Sequence, residues 1–342
     1  MRAISYPAYG ATPELVDLPE PDCPADGAVV AVRATGVCRS DWHAWRGHDP
    51  VPLPMVPGHE FAGVVARVGP LVRGFAVADR VTAPFVNGCG HCDWCLSGQA
   101  QVCPDQEQPG FSRAGSFADQ VVVTAADFNL VRLPDGVDFV TAASLGCRFA
   151  TAYHALAAQA DLEPSEWLLV VGCGGVGLSA VMVGDAMGAR VIAVDPSDSA
   201  RARAAELGAS HVLAEPDPEA IRALTDGGVH VSVDAIGSAA TASGCVLSLR
   251  RRGRHVQAGL MLGTNATAPL PWDRVVAHEL TVVGSHGMAA SDYPELLRLV
   301  DMGALQPAQL VARVVDLTQA GAELMALDRQ VSTTAGIVVA TV

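Results

Sequence analysis

Four cysteines, Cys89, Cys92, Cys95 and Cys103, fall within fifteen residues as C-x2-C-x2-C-x7-C in NGCGHCDWCLSGQAQVC. Thiolates so spaced can surround one ion tetrahedrally, and Gly88, Gly90 and Gly98 give the loop the freedom to wrap it. Four thiolates leave no open position, so the expected role is a structural zinc; the alternatives are free thiols or two disulfides. A second set lies in two pieces. GHEFAGVVARVG (58–69) puts His59 beside Glu60, and GVCRSDWH upstream holds Cys38, Arg39, Ser40, Asp41 and His43. A lone histidine is more often a satisfied core or surface group, so the weight rests on the combination. A catalytic zinc takes about three protein ligands and keeps one place for water or substrate. Cys38 and His59 supply two, Cys147 in ASLGCRFATAYHAL is the third, and Asp41 or Glu60 can orient His59 through its other ring nitrogen.

GCGGVG (172–177) has the G-x-G-x-x-G spacing, with Gly172, Gly174 and Gly177 at the motif positions and Gly175 and Val176 between them. The motif is weak alone, but here it follows the apolar run WLLVV and opens a helical stretch, the context it needs. Such a turn brings backbone close to a pyrophosphate and faces it with free N–H groups. Asp195 ends the next strand, 18 residues beyond Gly177, where an acid binds the adenosine ribose and repels a 2′-phosphate. That favours NAD over NADP. The competing role for Asp195 is a helix N-cap.

These residues need elements to hold them. Residues 1–148 contain short valine-rich runs broken by Gly and Pro (GAVVAVRATGV, FAGVVARVG, DRVTAPFV, FADQVVV), the texture of a compact mixed-β domain. Over 149–286 strands alternate with helices: WLLVV, RVIAVD, the helical SARARAAELGA, then HVLA, HVSVDAIG, RHVQAGL and LTVVGS. That alternation predicts parallel strands with crossover helices, a doubly wound α/β sheet. Residues 287–342, with the helix YPELLRLVDMG, the strand-like ARVVDL and GIVVATV, are too few to fold alone and are expected to complete the first domain. Two domains suit a length of 342 residues.

The net charge of −14, from 36 acidic against 22 basic residues, argues against nucleic acid or an anionic membrane as partner. All the basic residues are arginine, so no lysine Schiff base can form. No apolar run approaches the roughly 20 residues of a membrane helix, and no secretory signal is visible, so a cytoplasmic protein is expected.

Taken together, these stretches resemble the zinc-dependent medium-chain alcohol dehydrogenase family over essentially the whole chain. GHEFAGVVARVGPLV is similar to its zinc signature and CGHCDWC…C to its structural-zinc lobe, here about 86–105. The resemblance implies a GroES-like catalytic domain (1–148 with 287–342) and a Rossmann coenzyme domain (149–286). It implies two zinc ions per chain, one on Cys38, His59 and Cys147 with Glu60 nearby and one on the four clustered cysteines, and NAD as coenzyme. It also implies Ser40 as acceptor of the substrate proton, His43 as its relay to solvent, Arg39 at a coenzyme phosphate, Val176 against the nicotinamide and Phe85 in the substrate pocket. The chain departs from the pattern at Ala200, where a lysine is common (Arg201 follows), and at Ile337 after the Gly of TTAGIVVATV, where a basic residue can bind pyrophosphate. Cys147 separates it from polyol-type relatives, whose usual third ligand is glutamate.

The expected activity is hydride transfer between a primary or secondary alcohol and NAD, with a homotetramer, or else a homodimer, as the assembly. The alternatives are a polyol or amino-alcohol dehydrogenase, a zinc hydrolase or hydratase, and a non-catalytic zinc-binding relative. Cys23, Cys173 and Cys245 are expected to be packing residues, and His48 and His91 exposed loop residues. Trp42 and Trp45 can serve either a substrate pocket or the core.

Overall fold

A computed structural model describes residues 1–328 and 336–342. The chain begins with a hairpin of β1 (Arg2–Ser5) and β2 (Glu14–Asp17). The valine-rich runs then become β3 (Ala28–Val37), β4 (Phe61–Val68), β5 (Arg80–Thr82), β6 (Gln120–Val123) and β7 (Val131–Arg132). β5 is shorter than DRVTAPFV suggests, because Pro84 brings no N–H to extend the ladder.

Next come β8 (Trp167–Val171), β9 (Arg190–Val194), β10 (Ala209–Leu213), β11 (Val229–Asp234), β12 (Leu249–Gln257) and β13 (Thr281–Gly284). They form a sheet in the order β10-β9-β8-β11-β12-β13, parallel throughout. With helices such as Gly175–Ala186 and Ala239–Ser248 as crossovers, this is the doubly wound architecture that the alternation predicts. Its central strands β8, β9 and β11 are buried on both faces, and one core cluster joins Trp167, Leu169, Ile192, Val194, Val246 and Leu280.

β14 (Val311–Asp316) and β15 (Ile337–Thr341) return to the first sheet. Among the described residues that sheet has the order β14-β15-β3-β4-β5-β7, and β6 also pairs with β3. β4 runs along one side of β3. The other side is shared, with β6 against Ala28–Ala31 and β15 against Ala34–Val37. Phe61, Val65, Val81, Val121 and Val123 fill one core of this unit, and Ile4, Tyr6, Trp45, Phe117, Leu317 and Leu324 fill another.

The chain therefore divides into two compact units. Among the described residues, one holds Met1–Ala150, 287–328 and 337–342, and the other holds Thr151–His286 with Gly336. Each expected segment has a place except part of TTAGIVVATV, since residues 333–335 lie outside the described residues. No helix among the described residues is long and apolar enough to cross a membrane.

Candidate metal and coenzyme sites

β3 delivers Cys38 at its end, where the backbone stays extended before the helix Arg39–Trp45 begins. Asp41 organises that junction. Its buried carboxylate accepts the N–H of Cys38 (3.0 Å) and of Gly58 (2.9 Å), and it accepts Nδ1–H of His59 at 2.9 Å. Of the two carboxylates that could orient His59, the structure thus selects Asp41. A proton fixed on Nδ1 leaves Nε2 as the free lone pair.

Cys147 arrives from a wide helical turn, Leu145–Phe149, with i→i+5 bonding. The potential ligand atoms of Cys38, His59 and Cys147 lie within 4.8 Å of one another, and all three residues are buried. His59 Nε2 is buried without a hydrogen-bond partner. An orphaned nitrogen costs free energy in a dry interior, so its place between two sulfurs fits a metal ion. The hydrogen bond from Cys147, together with the nearby Arg148 and His59, holds the Cys38 thiol well below the usual thiol range. The same hydrogen bond and burial push Cys147 well above it. Thiolate is thus favoured on Cys38 over Cys147, and a cation bound by both sulfurs would lower both.

The four clustered cysteines converge in the same way. Cys89 and Cys95 have their sulfurs 3.9 Å apart, and Cys92 and Cys103 3.8 Å. A tetrahedral ion with bonds of about 2.3 Å sets its sulfurs roughly 3.8 Å apart. The N–H of Cys89 points to Cys103 Sγ and that of Cys95 to Cys92 Sγ, both at 3.4 Å, which steadies thiolates. The N–H of His91 leads in pulling the Cys89 thiol down to about 6, whereas burial pushes Cys95 up to about 12. All nine cysteines are unbridged, so the disulfide alternative falls.

Around the three-residue set, Ser40 Oγ lies 3.9 Å from Cys38 Sγ. Phe85 packs with Cys38, Val86 and Cys147, its ring centroid 5.9 Å from that of His59. Gly287, at φ +62°, makes room for that ring, since a Cβ there would meet it at 2.8 Å. His43 sits half-buried with Nδ1 3.3 Å from Nδ1 of the exposed His48. Burial first, then the charges of His48 and Arg39, push His43 down to about 4. In the isolated chain it is therefore a neutral base near neutral pH.

Arg39 is exposed, stacks over Trp42 at 4.9 Å and donates to the carbonyl of Leu327. A cavity of about 720 Å³ is lined by Arg39, Trp42, Arg46, His48, Leu327 and Asp328. Trp45 is a core residue whose Nε1–H donates to the carbonyl of Ala11, while Trp42 lines that cavity.

In the parallel unit, GCGGVG turns from β8 into the helix Gly175–Ala186. Gly172 has φ +94°, and a Cβ on Gly177 would fall 1.6 Å from the carbonyl oxygen of Gly172. Only glycine lets helix and strand approach so closely. A Cβ on Gly174 would meet nothing within 4 Å, and no side chain caps this helix, so its first N–H groups face open space beside Val176. That cradle fits a pyrophosphate. The Asp195 carboxylate accepts the N–H of Cys173 (2.8 Å) and of Ser197 (2.9 Å). The next helix, Asp198–Glu206, is capped by Ser197, so the N-cap alternative for Asp195 falls. Ala200 is buried, while Arg201 donates to the carbonyl of Asp195 at 2.6 Å. Ile337 is buried in β15.

Three neighbours escaped the reading of the sequence. Arg148 forms a buried ion pair with Glu60. Tyr293 donates its hydroxyl to the carbonyl of Gly146 at 3.1 Å, and Phe111 stands edge-on to His59 at 5.2 Å. Only Arg148 left a signal, as a charged residue in an otherwise apolar stretch, which seldom sits there unpartnered.

Comparison with known proteins agrees with this arrangement. Residues 24–135 match the alcohol dehydrogenase GroES-like domain family, and residues 175–302 match the zinc-binding dehydrogenase family. An alcohol dehydrogenase of Geobacillus stearothermophilus is 34% identical over 311 residues, which is 90% of this chain and 90% of that protein. A solved NAD-dependent alcohol dehydrogenase superposes over all of both chains with a TM-score of 0.89 and 32% identity. The alcohol dehydrogenase TADH from Thermus sp. ATN1 gives 0.92 at 29% identity, over 100% of this chain and 99% of that one. On these grounds, the chain belongs to the zinc-dependent medium-chain dehydrogenase/reductase family.

Proposed function

We propose that this chain transfers a hydride between a primary or secondary alcohol and NAD, giving an aldehyde or ketone, with Cys38, His59 and Cys147 holding a catalytic zinc. The observation that carries this reading is the buried, unpartnered Nε2 of His59 between two sulfurs, with Asp41 fixing the opposite ring nitrogen. Cys89, Cys92, Cys95 and Cys103 would hold a second, structural zinc. When bound, zinc supplies polarisation of the alcohol oxygen, and NAD supplies the acceptor for hydride.

The chain's own residues do the rest. Ser40, beside Cys38, takes the proton of the substrate hydroxyl. His43, neutral and within reach of the exposed His48, receives that proton and releases it to solvent. Arg39 binds a phosphate of the coenzyme. An anion there offsets one of the charges that depress His43 and so raises its basicity. The open turn at Gly174 and Gly175 would accept the pyrophosphate, and Val176 would hold the nicotinamide. Asp195 keeps a spare lone pair on each oxygen beyond its backbone partner and would accept ribose hydroxyls there, and Arg201 supplies a cation where Ala200 cannot. Phe85 bounds the substrate. The sulfurs and imidazole exclude a hard-oxygen donor set, which suits zinc.

The test is a panel of primary, secondary and polyhydric alcohols with NAD and with NADP, followed through the near-ultraviolet band of the reduced coenzyme. A simple alcohol with NAD should give the fastest rise. Protein carrying about two zinc ions per chain that reduces neither coenzyme with any alcohol would sink the reading. Light scattering on the same sample checks the proposed homotetramer.

A further inference from the structure

Behind the candidate metal ligands lies a buried ion pair that the proposed reaction does not use. Arg148 is 7% exposed and Glu60 is wholly buried. Glu60 Oε1 accepts the backbone N–H of Cys147 (3.2 Å), that of Arg148 (3.1 Å) and Arg148 Nε–H (3.0 Å). Its Oε2 accepts from Arg148 Nη2, and Arg148 Nη1 donates to the carbonyl of Val37 at 3.0 Å. Val37 precedes Cys38, Glu60 follows His59, and Arg148 itself follows Cys147. One guanidinium thus touches the chain neighbour of each ligand it does not itself adjoin.

Space is reserved for this arrangement. A Cβ on Gly36 would lie 2.3 Å from Glu60 Oε2 and 2.9 Å from Arg148 Nη2, and one on Gly146 would lie 3.0 Å from Glu60 Cα. A buried ion pair is by itself poor evidence for stability, since desolvation cancels much of the attraction. Its attachment beside all three ligands is what points to the metal.

Resting on the zinc reading above, we propose that Arg148 is a positioning residue: it locks the three ligand-bearing segments together and occupies the Glu60 carboxylate, so that this carboxylate cannot take the coordination place meant for substrate. Without the guanidinium, Glu60 keeps only the two backbone N–H groups on Oε1, and its Oε2 becomes a buried carboxylate oxygen, in the residue next to His59, that a cation could draw in.

The probe is cobalt(II) in place of zinc, with imidazole as a small ligand for the open place, read by the visible absorption of the metal. The parent protein should change its spectrum on titration with imidazole. Arg148→Gln should keep its cobalt, show an altered spectrum before imidazole is added, and bind imidazole about tenfold more weakly. Adding Glu60→Gln to that variant removes the intruding carboxylate and should restore imidazole binding to within about threefold of the parent. An Arg148→Gln protein with parental spectrum and imidazole affinity overturns the proposal, as does a double variant no better than the single one. If Arg148→Gln does not fold, Arg148→Lys decides, because it keeps a charge but lacks the second donor arm. Weaker imidazole binding supports the proposal, and parental binding ends it. Failure of the underlying reading looks different: the parent itself then gives no imidazole response.

Discussion

Asp41 Oδ1 lies 2.9 Å from His59 Nδ1, and the same carboxylate also holds the N–H of Cys38 and of Gly58. A single side chain therefore sets the position of one candidate sulfur ligand and the tautomer of the candidate nitrogen ligand. Asp41→Asn keeps the size but replaces one acceptor oxygen with a donor. It should weaken zinc at this site by about 10- to 100-fold, measured by competition with a chromogenic chelator, and leave the zinc of the four cysteines in place.

The two metal sets should empty independently. Cys38→Ser should lower zinc from about two ions per chain to about one with little change in thermal stability. Cys103→Ser should remove the other ion and make the 86–105 loop the first site of proteolytic cleavage. Zinc content unchanged by Cys38→Ser would take that residue out of the site.

His43 offers a pH test. Its folded pKa is pushed down to about 4 from an ordinary 6.5, so between those values the unfolded chain binds more protons than the folded one. Stability therefore rises with pH across this window, and the contribution is lost as pH falls from 6.5 to about 4. In coenzyme-free protein, His43→Gln should flatten the dependence of the denaturation midpoint on pH in that range. The same substitution should slow turnover near neutral pH by about 100-fold or more without changing zinc content. Full activity would rule out the relay.

Coenzyme choice should turn on Asp195. Asp195→Gly removes the charge that opposes a 2′-phosphate, with Arg201 already beside it. The ratio of kcat/KM for NADP to that for NAD should rise by about tenfold or more. A constant ratio would mean that this acid does not read the ribose.

Gly177→Ala probes the helix–strand contact. Its Cβ would fall 1.6 Å from Gly172 oxygen, so the helix Gly175–Ala186 must move away from β8. Overpacking of this kind costs about 1–3 kcal/mol, visible as a lower melting temperature together with weaker NAD binding by calorimetry.

What the sequence revealed depended on how locally each feature is encoded. The four cysteines and GCGGVG are complete within a single turn or loop, so spacing alone assembles them. The alternation over 149–286 likewise gave the parallel sheet, because strand and crossover helix are consecutive. The choice between Asp41 and Glu60 behind His59 stayed open because either acid is close enough in the chain, and only the packing of β3 against β4 turns one toward the ring. The Glu60–Arg148 pair spans 88 positions, and no local pattern announces a contact of that length. The basicity of His43 was likewise out of reach, because burial, its first cause, is a property of the packed fold and not of its own segment.

β15 lies between β14 and β3, and β3 runs directly into Cys38. During synthesis, every residue of the parallel sheet is made before the strand that covers the second half of β3 exists. Birth order and completion order are thus reversed: the later unit can close first, while Cys38 waits beside an unfinished edge. Completion of the sheet edge that leads into Cys38 is therefore an event of the chain synthesised through β15.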